Sequence, residues 1–404
     1  MNKPTRGTLA LRLYYVAAFG VVGLYLPFFP RWIEARGMLG IRLGIIAAVA
    51  PATGVFAPPL LGALADALRL REALLQIACA GALLTFGALA VAAAAGLSLG
   101  FGTLFAATLA FALFRSPMGF MADVVAIELA PAAHTTYGRL RLWGSLGFIA
   151  AVIPGALYVD PRDAVVFPAA TAALVFVALL ASLRLPRRAE MPTAVPGRGA
   201  WRLLGARDVR LFLLTAFLGQ FGHVAYDLCF SIRLFDLGVS RATVGVTWAV
   251  GTASEVLLMA CAAPLFRAFL PASLFAFALA TASVRWAMIA VVRSSAVLLA
   301  LQPLHAISFG LAWLASVSYV SRRFPPHSLG SAQGFFCTAV GLGSAAGMVT
   351  WGWVYQHAGG AMVFAGAASF SACACAFAIR LSRGTRPVGA RFHAGSDSKN
   401  SSST

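Results

Sequence analysis

Two long apolar stretches, separated by one basic segment, restrict what this chain can fold into. The segment runs from residue 185 to residue 209 of the 404 residues and contains Pro186, Pro192 and Pro196, which stop a helix. On each side of it, roughly 200 residues are nearly unbroken apolar sequence. Apolar sequence on this scale is buried in lipid, so the segment is predicted to link two membrane-embedded bundles.

The composition supports a membrane protein. Hydrophobic residues make up 60% of the chain and charged residues 11%, and the mean hydropathy is +0.84. A soluble chain has about 25% charged residues. The formal net charge of +18 would also suit a nucleic-acid partner, with the basic segment as its binding arm.

The distribution of positive charge favours a topology over a nucleic-acid partner. We predict twelve spans of about 20 residues, the length that a bilayer requires. They lie near residues 9–30, 41–64, 72–95, 98–121, 138–158, 164–184, 210–233, 242–263, 271–292, 296–319, 330–355 and 360–381. With both termini inside, 22 of the 31 Lys and Arg residues fall inside and 7 outside. The positive-inside rule accounts for most of the excess positive charge of the chain. No nucleic acid is therefore needed as a partner.

The predicted fold is an all-α polytopic membrane protein with twelve transmembrane helices in two six-helix halves. Residues 1–184 form the first half and residues 210–382 the second. Residues 185–209 are the cytoplasmic linker, and residues 383–404 are a polar tail that we expect to be disordered and cytoplasmic.

A weak internal repeat agrees with two related halves. Two glycines and a tyrosine recur at the same spacing in the fifth and eleventh spans. Duplication of one half would explain the repeat, and chance in glycine-rich helices is the alternative. The residues are Gly144, Gly155 and Tyr158, and Gly341, Gly352 and Tyr355. Glycine at these positions lets neighbouring helices approach closely.

The sequence lacks the signatures of an enzyme. It contains no HExxH, no Gly-x-Ser-x-Gly and no Cys/His ligand cluster, and its six cysteines all fall within predicted spans. It also lacks the GxxxxGK[ST] loop that binds ATP. We therefore expect no catalytic residues, no metal and no cofactor.

The segment from Gly62 to Arg71, with the sequence GALADALRLR, resembles the loop between helices two and three of the major facilitator superfamily. Asp66 at the membrane edge can pair with a cation or cap a neighbouring helix, and Arg69 and Arg71 keep the loop inside. We interpret Gly62, Asp66, Arg69 and Arg71 as a gating clasp that holds one conformer. The alternative is an ordinary basic loop on the inner side.

Three further segments resemble the phenylpropionate permease group, which lies near the lactose permeases in that superfamily. They are 137–148 (YGRLRLWGSLGF), 304–311 (LHAISFGL) and 331–334 (SAQG). The resemblance spans both halves. It implies a major facilitator fold and the transport of a small organic solute.

Ionisable residues within spans are functional candidates because a charge at the bilayer centre costs about 2.5–3.5 kcal/mol. The second half holds Asp227, Glu255, Arg285 and His305 in successive spans, with His223 one turn before Asp227. This layout is similar to that of the lactose permeases, except that Ser308 stands where those permeases carry an acid after the histidine. The residues are either a substrate and proton site or a structural set of ion pairs. The alternative for Asp227 and His223 is that both face water.

Glu255 is the predicted proton carrier. It has no cation within one turn of its own helix, so we expect its partner to be Arg285. Desolvation favours a neutral carboxyl group and a nearby arginine favours a charged one, so an acid that alternates between these surroundings takes up and releases a proton. His305 would contact the substrate or relay the proton.

The first half has fewer charges within its spans. Arg115 is predicted to grip a substrate carboxylate, because a guanidinium binds that group through two parallel hydrogen bonds. Alternatively, it pairs with an acid or a carbonyl. Asp123 or Glu128 is predicted to form an inner gate pair with Arg139.

These observations predict a proton-coupled symporter that works by alternating access, with an aromatic carboxylate such as phenylpropionate as the favoured solute. Proton-coupled efflux and sugar or nucleoside symport are the alternatives, followed by a membrane scaffold without transport activity. We expect a monomer in the bacterial inner membrane with both termini cytoplasmic. Its partners would be the solute, protons and membrane lipid.

Overall fold

The computed structural model describes residues 3–67, 71–133, 135, 137–185, 204–324 and 329–384. The N-terminal half, residues 3–185, contains α1 (Lys3–Glu34), α2 (Gly40–Ala67), α3 (Arg71–Ala94), α4 (Phe101–Ala132), α5 (Tyr137–Tyr158) and α6 (Val166–Ser182). The C-terminal half, residues 204–384, contains α7 (Arg207–Asp236), α8 (Arg241–Cys261), α9 (Ala263–Ala268), α10 (Pro271–Val291), α11 (Ser295–Ala300), a π-helical segment (Ala306–Leu311), α12 (Ala312–Arg323) and α13 (Leu329–Gly384).

The long helices of the described ranges account for the predicted membrane spans. Nine of them are long and apolar enough to cross a bilayer. One of the nine is α13, which is broken at Gly359, where φ is 76° and only glycine is free of strain. Its two arms therefore count as two crossings. With α6 and the crossing that α11, the π-helical segment and α12 form together, the helices agree with the twelve predicted spans.

Several helices extend beyond their predicted ends. α4 continues to Ala132, and α7 begins at Arg207, inside the predicted linker. Charged residues at these ends lower the local hydropathy without stopping the helix; Asp208, for example, lies in the first turn of α7, where a negative charge is favourable. Residues 186–203 of the linker and residues 385–404 of the tail lie outside the described residues.

The two halves pack most closely near one end of the bundle. We call the end that carries loops 35–39, 159–165 and 237–240 the outer end, following the predicted topology. There, α2 packs on α13 and α5 packs on α8. A Cβ atom on Gly44 would lie 2.6 Å from the carbonyl oxygen of Met348, and one on Gly245 would lie 2.5 Å from Cβ of Ala156. The helices can approach this closely only because these positions lack a side chain.

Two ion pairs also join the halves at the outer end. Nη1 of Arg241 lies 3.2 Å from Oδ2 of Asp160, and Nη1 of Arg31 lies 4.0 Å from Oδ1 of Asp236. Each half thus supplies one arginine and one acid. The pairs border an outward-facing cavity of about 570 Å³ lined by both halves.

Candidate functional site

Arg285 is the centre of a polar network within the C-terminal half. α10 carries its side chain into the bundle, where it is fully buried. Its Nη1 lies 3.2 Å from Nδ1 of His305 and donates to Oγ of Ser308 at 3.1 Å. Its Nη2 donates to Oε1 of Gln302 at 2.9 Å. These acceptors satisfy much of the hydrogen-bonding capacity of the guanidinium, which burial makes necessary.

Aromatic rings and an amide fix this guanidinium in place. Its central carbon lies 4.5 Å from the ring centroid of Tyr226 and 4.7 Å from that of Trp286, within cation–π range. The Tyr226 hydroxyl donates to Oε1 of Gln302 at 2.9 Å, and Nε2 of Gln302 donates to the Leu298 carbonyl at 2.7 Å. Sequence reasoning missed Gln302. An amide next to a proline within an apolar span was the available signal.

His305 lies between Arg285 and Glu255. Nε2 of His305 is 3.7 Å from Oε2 of Glu255, while Nδ1 faces Arg285. An arginine can only donate, so Nδ1 is the acceptor and the proton of a neutral His305 is on Nε2, pointing towards Glu255. The predicted direct partnership of Glu255 with Arg285 is therefore replaced by a chain that passes through the imidazole.

The π-helical segment begins directly after His305 and contains Ser308. A π-helix is rare and occurs frequently at functional sites. In this register His305 and Ser308 both reach Nη1 of Arg285. The segment also receives the Glu255 side chain, because a Cβ on Gly310 would lie 3.0 Å from its Cγ.

His223 and Asp227, one turn apart on α7, lie beside this network. Nε2 of His223 is 3.6 Å from Oδ1 of Asp227, and both side chains are largely buried. The His223 ring is 5.7 Å from that of His305 and stacks on Phe309 at 4.8 Å. A cavity of about 40 Å³ borders His223, Phe309 and Ser308. It has room for water, which needs roughly 10–15 Å³, but not for a ring-bearing solute.

In the N-terminal half, Asp123 pairs with Arg141. Oδ1 of Asp123 lies 3.7 Å from Nε of Arg141 and accepts a hydrogen bond from the Tyr15 hydroxyl at 2.7 Å. The guanidinium of Arg141 lies over the ring of Phe19, with 3.8 Å between its carbon and the centroid. Sequence analysis predicted a gate pair of Asp123 or Glu128 with Arg139, two residues earlier on α5, and the pair with Arg139 stays a prediction. The Glu128 side chain lies outside the described residues.

Arg141 and Glu255 occupy one level of the bundle on facing helices of different halves. α5 and α8 meet where Gly245 contacts Ala156. Glu255 lies ten residues inward from that contact along α8, about 15 Å at the rise of an α-helix. The Arg141 guanidinium lies against Gly144, twelve residues or about 18 Å inward along α5.

Arg115 lies on the side of α4 that faces α1. It follows Phe111 by one turn, and Phe111 packs against Tyr25 of α1 with 5.6 Å between ring centroids. The side chain of Arg115 is exposed, although the residue is near the middle of a 32-residue helix. Arg115 is thus at mid-depth with an accessible guanidinium, as an anion-binding role requires.

The predicted gating clasp is only partly described. α2 continues through Gly62 and Asp66 to Ala67, and α3 begins at Arg71, so the first part of the motif is helical rather than a loop. Arg69 and the side chains of residues 58–72 lie outside the described residues. Their gating role stays a prediction.

Comparison with known proteins identifies related transporters. The model of the MFS_1-like family matches residues 8–366. The chain is 27% identical to the probable 3-phenylpropionic acid transporter of Escherichia coli K12, over 88% of this chain and 93% of that protein. It is 29% identical to the maltose permease of Geobacillus stearothermophilus, over 86% of each chain.

Solved structures share the fold. The nucleoside transporter NupG superposes with a TM-score of 0.81 at 18% identity, covering 94% of this chain and 99% of that one. A D-xylose–proton symporter superposes with a TM-score of 0.71 at 14% identity, covering 94% and 98%. The arrangement of helices is therefore that of major facilitator transporters.

Proposed function

The chain belongs to the MFS_1-like family, and on that premise we propose that it is a proton-coupled symporter of a small organic solute. The favoured solute is an aromatic carboxylate such as 3-phenylpropionate. Support comes from the relative that carries this acid in its name and from the exposed Arg115 at mid-depth. Sugar or nucleoside symport and proton-coupled efflux are the alternatives; the similarity to a maltose permease favours the first of them.

One observation carries the proposal of proton coupling. A largely buried chain of contacts runs from Arg285 through His305 to Glu255, and Arg141 of the other half lies at the same level of the bundle as Glu255. A carboxylate between two halves that move against each other experiences a changing distance to the opposite cation. It therefore takes up a proton when that cation is distant and releases it when the cation approaches.

The transport cycle follows from this arrangement. The outer end is closed, with glycine contacts and the Asp160–Arg241 and Arg31–Asp236 pairs between the halves. Parting of these contacts admits solute and a proton from outside, and the proton neutralises Glu255. Closure of the outer end and opening of the inner end then expose both to the inner side, where Glu255 gives up its proton to water.

We place the protein in the bacterial inner membrane as a monomer, with the linker and both termini cytoplasmic, and assign it no enzymatic activity and no cofactor. The 22 to 7 distribution of Lys and Arg supports this orientation. Cysteines at Arg198 and Arg162 test it in intact cells. An impermeant thiol reagent should label the cysteine at Arg162 and spare the one at Arg198, and labelling of the linker from outside would invert the topology.

Uptake into proteoliposomes tests the function itself. The panel consists of 3-phenylpropionate, benzoate, maltose, xylose and uridine, each with and without an imposed pH gradient. We expect accumulation of 3-phenylpropionate above its external concentration only when the outside is acidic. Accumulation of a sugar or uridine instead would favour the second candidate. No movement of any solute in either direction would refute both.

A further inference from the structure

We propose that Arg115 and the Tyr25 hydroxyl form a carboxylate-binding subsite on the N-terminal half, which makes the transporter select organic acids over neutral solutes. The inference rests on the proposed transport function and names the solute class that the site takes. Arg115 supplies the charge, and Tyr25 supplies a second donor.

The guanidinium of Arg115 needs a counter-anion. The residue lies fourteen positions, or about 21 Å, from the outer end of α4, close to the middle of the bilayer. It forms no salt bridge to an acid within the described ranges. A cation at this depth is costly unless it is paired or faces a water-filled cavity, and its side chain is accessible to such a partner.

The Tyr25 hydroxyl lacks a partner where one is expected. It is buried, and within the described part of the chain it makes no hydrogen bond. A buried hydroxyl without a partner is unfavourable, so native structures rarely contain one. The ring is held between Phe29, with 4.2 Å between centroids, and Phe111, with 5.6 Å, so the hydroxyl cannot easily turn elsewhere.

The direction of the two side chains brings these groups together. Side chains of a helix lean towards its N-terminus, so Arg115 leans back over the turn that contains Phe111. Phe111 is the residue of α4 that packs on Tyr25. A carboxylate bound by two N–H groups of Arg115 would also accept a hydrogen bond from the Tyr25 hydroxyl. A neutral amide carries no negative charge that attracts the guanidinium.

Tyr14 provides a matched control on the same pair of helices. Its hydroxyl donates to the carbonyl oxygen of Met118 at 2.9 Å and is therefore satisfied within the protein. Tyr14→Phe and Tyr25→Phe each remove one buried hydroxyl from the α1–α4 contact. Only the second change removes a donor that has no partner among the residues that the structure describes.

The test compares binding of 3-phenylpropionate and 3-phenylpropionamide to purified protein by calorimetry. We expect the acid to bind about 30-fold more tightly than the amide, as a charge-assisted pair allows. Arg115→Gln should abolish this preference and Arg115→Lys should retain part of it. Tyr25→Phe should weaken binding of the acid by about tenfold and leave binding of the amide unchanged, and Tyr14→Phe should alter neither.

Two outcomes would overturn the subsite. One is equal binding of acid and amide by the unaltered protein, and the other is an equal effect of Tyr14→Phe and Tyr25→Phe. The melting temperature of each variant establishes that it is folded. If the acid binds with the expected pattern but is not accumulated by proteoliposomes, the transport proposal fails and the subsite stands. If a sugar is accumulated and the acid does not bind, the subsite is wrong and transport stands.

Discussion

The arginines within the spans of the two halves differ in burial and in hydrogen bonding. In the C-terminal half, Arg285 is fully buried and donates to Gln302 and Ser308. In the N-terminal half, Arg115 is exposed and Arg141 lies over Phe19. A guanidinium whose donors are already used organises the protein, whereas one with accessible donors is available to a solute. We therefore propose that the buried network of the C-terminal half serves proton coupling and that Arg115 of the N-terminal half binds the solute.

The glycines of the internal repeat show the same asymmetry. Gly144 and Gly155 of α5 lie against Phe19 and Phe28 of α1, within their own half. At the corresponding positions of α13, Gly341 and Gly352 lie against α2 of the opposite half. Related sequence positions therefore serve internal packing in one half and the contact between halves in the other.

Replacement of Arg285 should have the largest effect. Arg285→Gln leaves the buried acceptors Nδ1 of His305 and Oγ of Ser308 without their donor, at about 1–3 kcal/mol each, so we expect a lower melting temperature and loss of transport. Arg115→Gln should abolish transport of the acid with little change in melting temperature, because the exposed side chain contributes little to folding.

Thermal unfolding in detergent and uptake measure the two effects. Arg293→Gln, at an exposed arginine of the outer end, is the control and should change neither. Equal melting temperatures for Arg285→Gln and Arg115→Gln would remove the distinction between the halves.

Replacement of Glu255 should separate coupling from movement. Glu255→Gln keeps the shape of the side chain but cannot release a proton, so we expect pH-driven accumulation to disappear and exchange of solute across the membrane to continue. Counterflow in proteoliposomes measures exchange. Retained uphill transport would move the proton site to Asp227 or His305, and loss of exchange would make Glu255 a binding or structural residue.

The outer ion pairs should have a smaller effect. They are partly exposed, and such pairs contribute about 0.2–1 kcal/mol each. Asp160→Asn should therefore increase the outward-open population by at most about fivefold. The labelling rate of Ser254→Cys by an impermeant reagent, in an otherwise cysteine-free chain, reports that population. The double variant Asp160→Arg with Arg241→Asp exchanges the two charges and should restore the original labelling rate. If it does not, Asp160 has another role.

A comparably small effect is expected near the end of α2, where Asp66 lies in the last turn of the helix. Asp66→Asn should slow interconversion about two- to fivefold, the range of a charge that acts on a helix end, and leave solute affinity nearly unchanged. Arg267→Gln, in the corresponding segment of the C-terminal half, should have no effect. A large loss of affinity in the Asp66 variant with a normal turnover rate would exclude a gating role.

Much of the architecture was predictable because a bilayer limits the choices. Runs of about 20 apolar residues are crossings in almost any context, and a glycine at 359 separates two of them. The family resemblance also held across both halves. The partners within the site were harder to foresee. The contact of Arg141 with Asp123 was not foreseen, and Gln302 was missed because an uncharged amide is hard to distinguish within an apolar span.

The sequence by itself determined where the chain crosses the membrane, which half carries the buried charges and to which family the chain belongs, since hydropathy, charge and motifs are properties of local sequence. The tertiary structure decided which of those charges meet. Whether Glu255 contacts Arg285 or His305 depends on the rotation of α8, α10 and the π-helical segment about their axes. That rotation is set by packing between helices distant in sequence, such as Gly245 on Ala156, which no local pattern records.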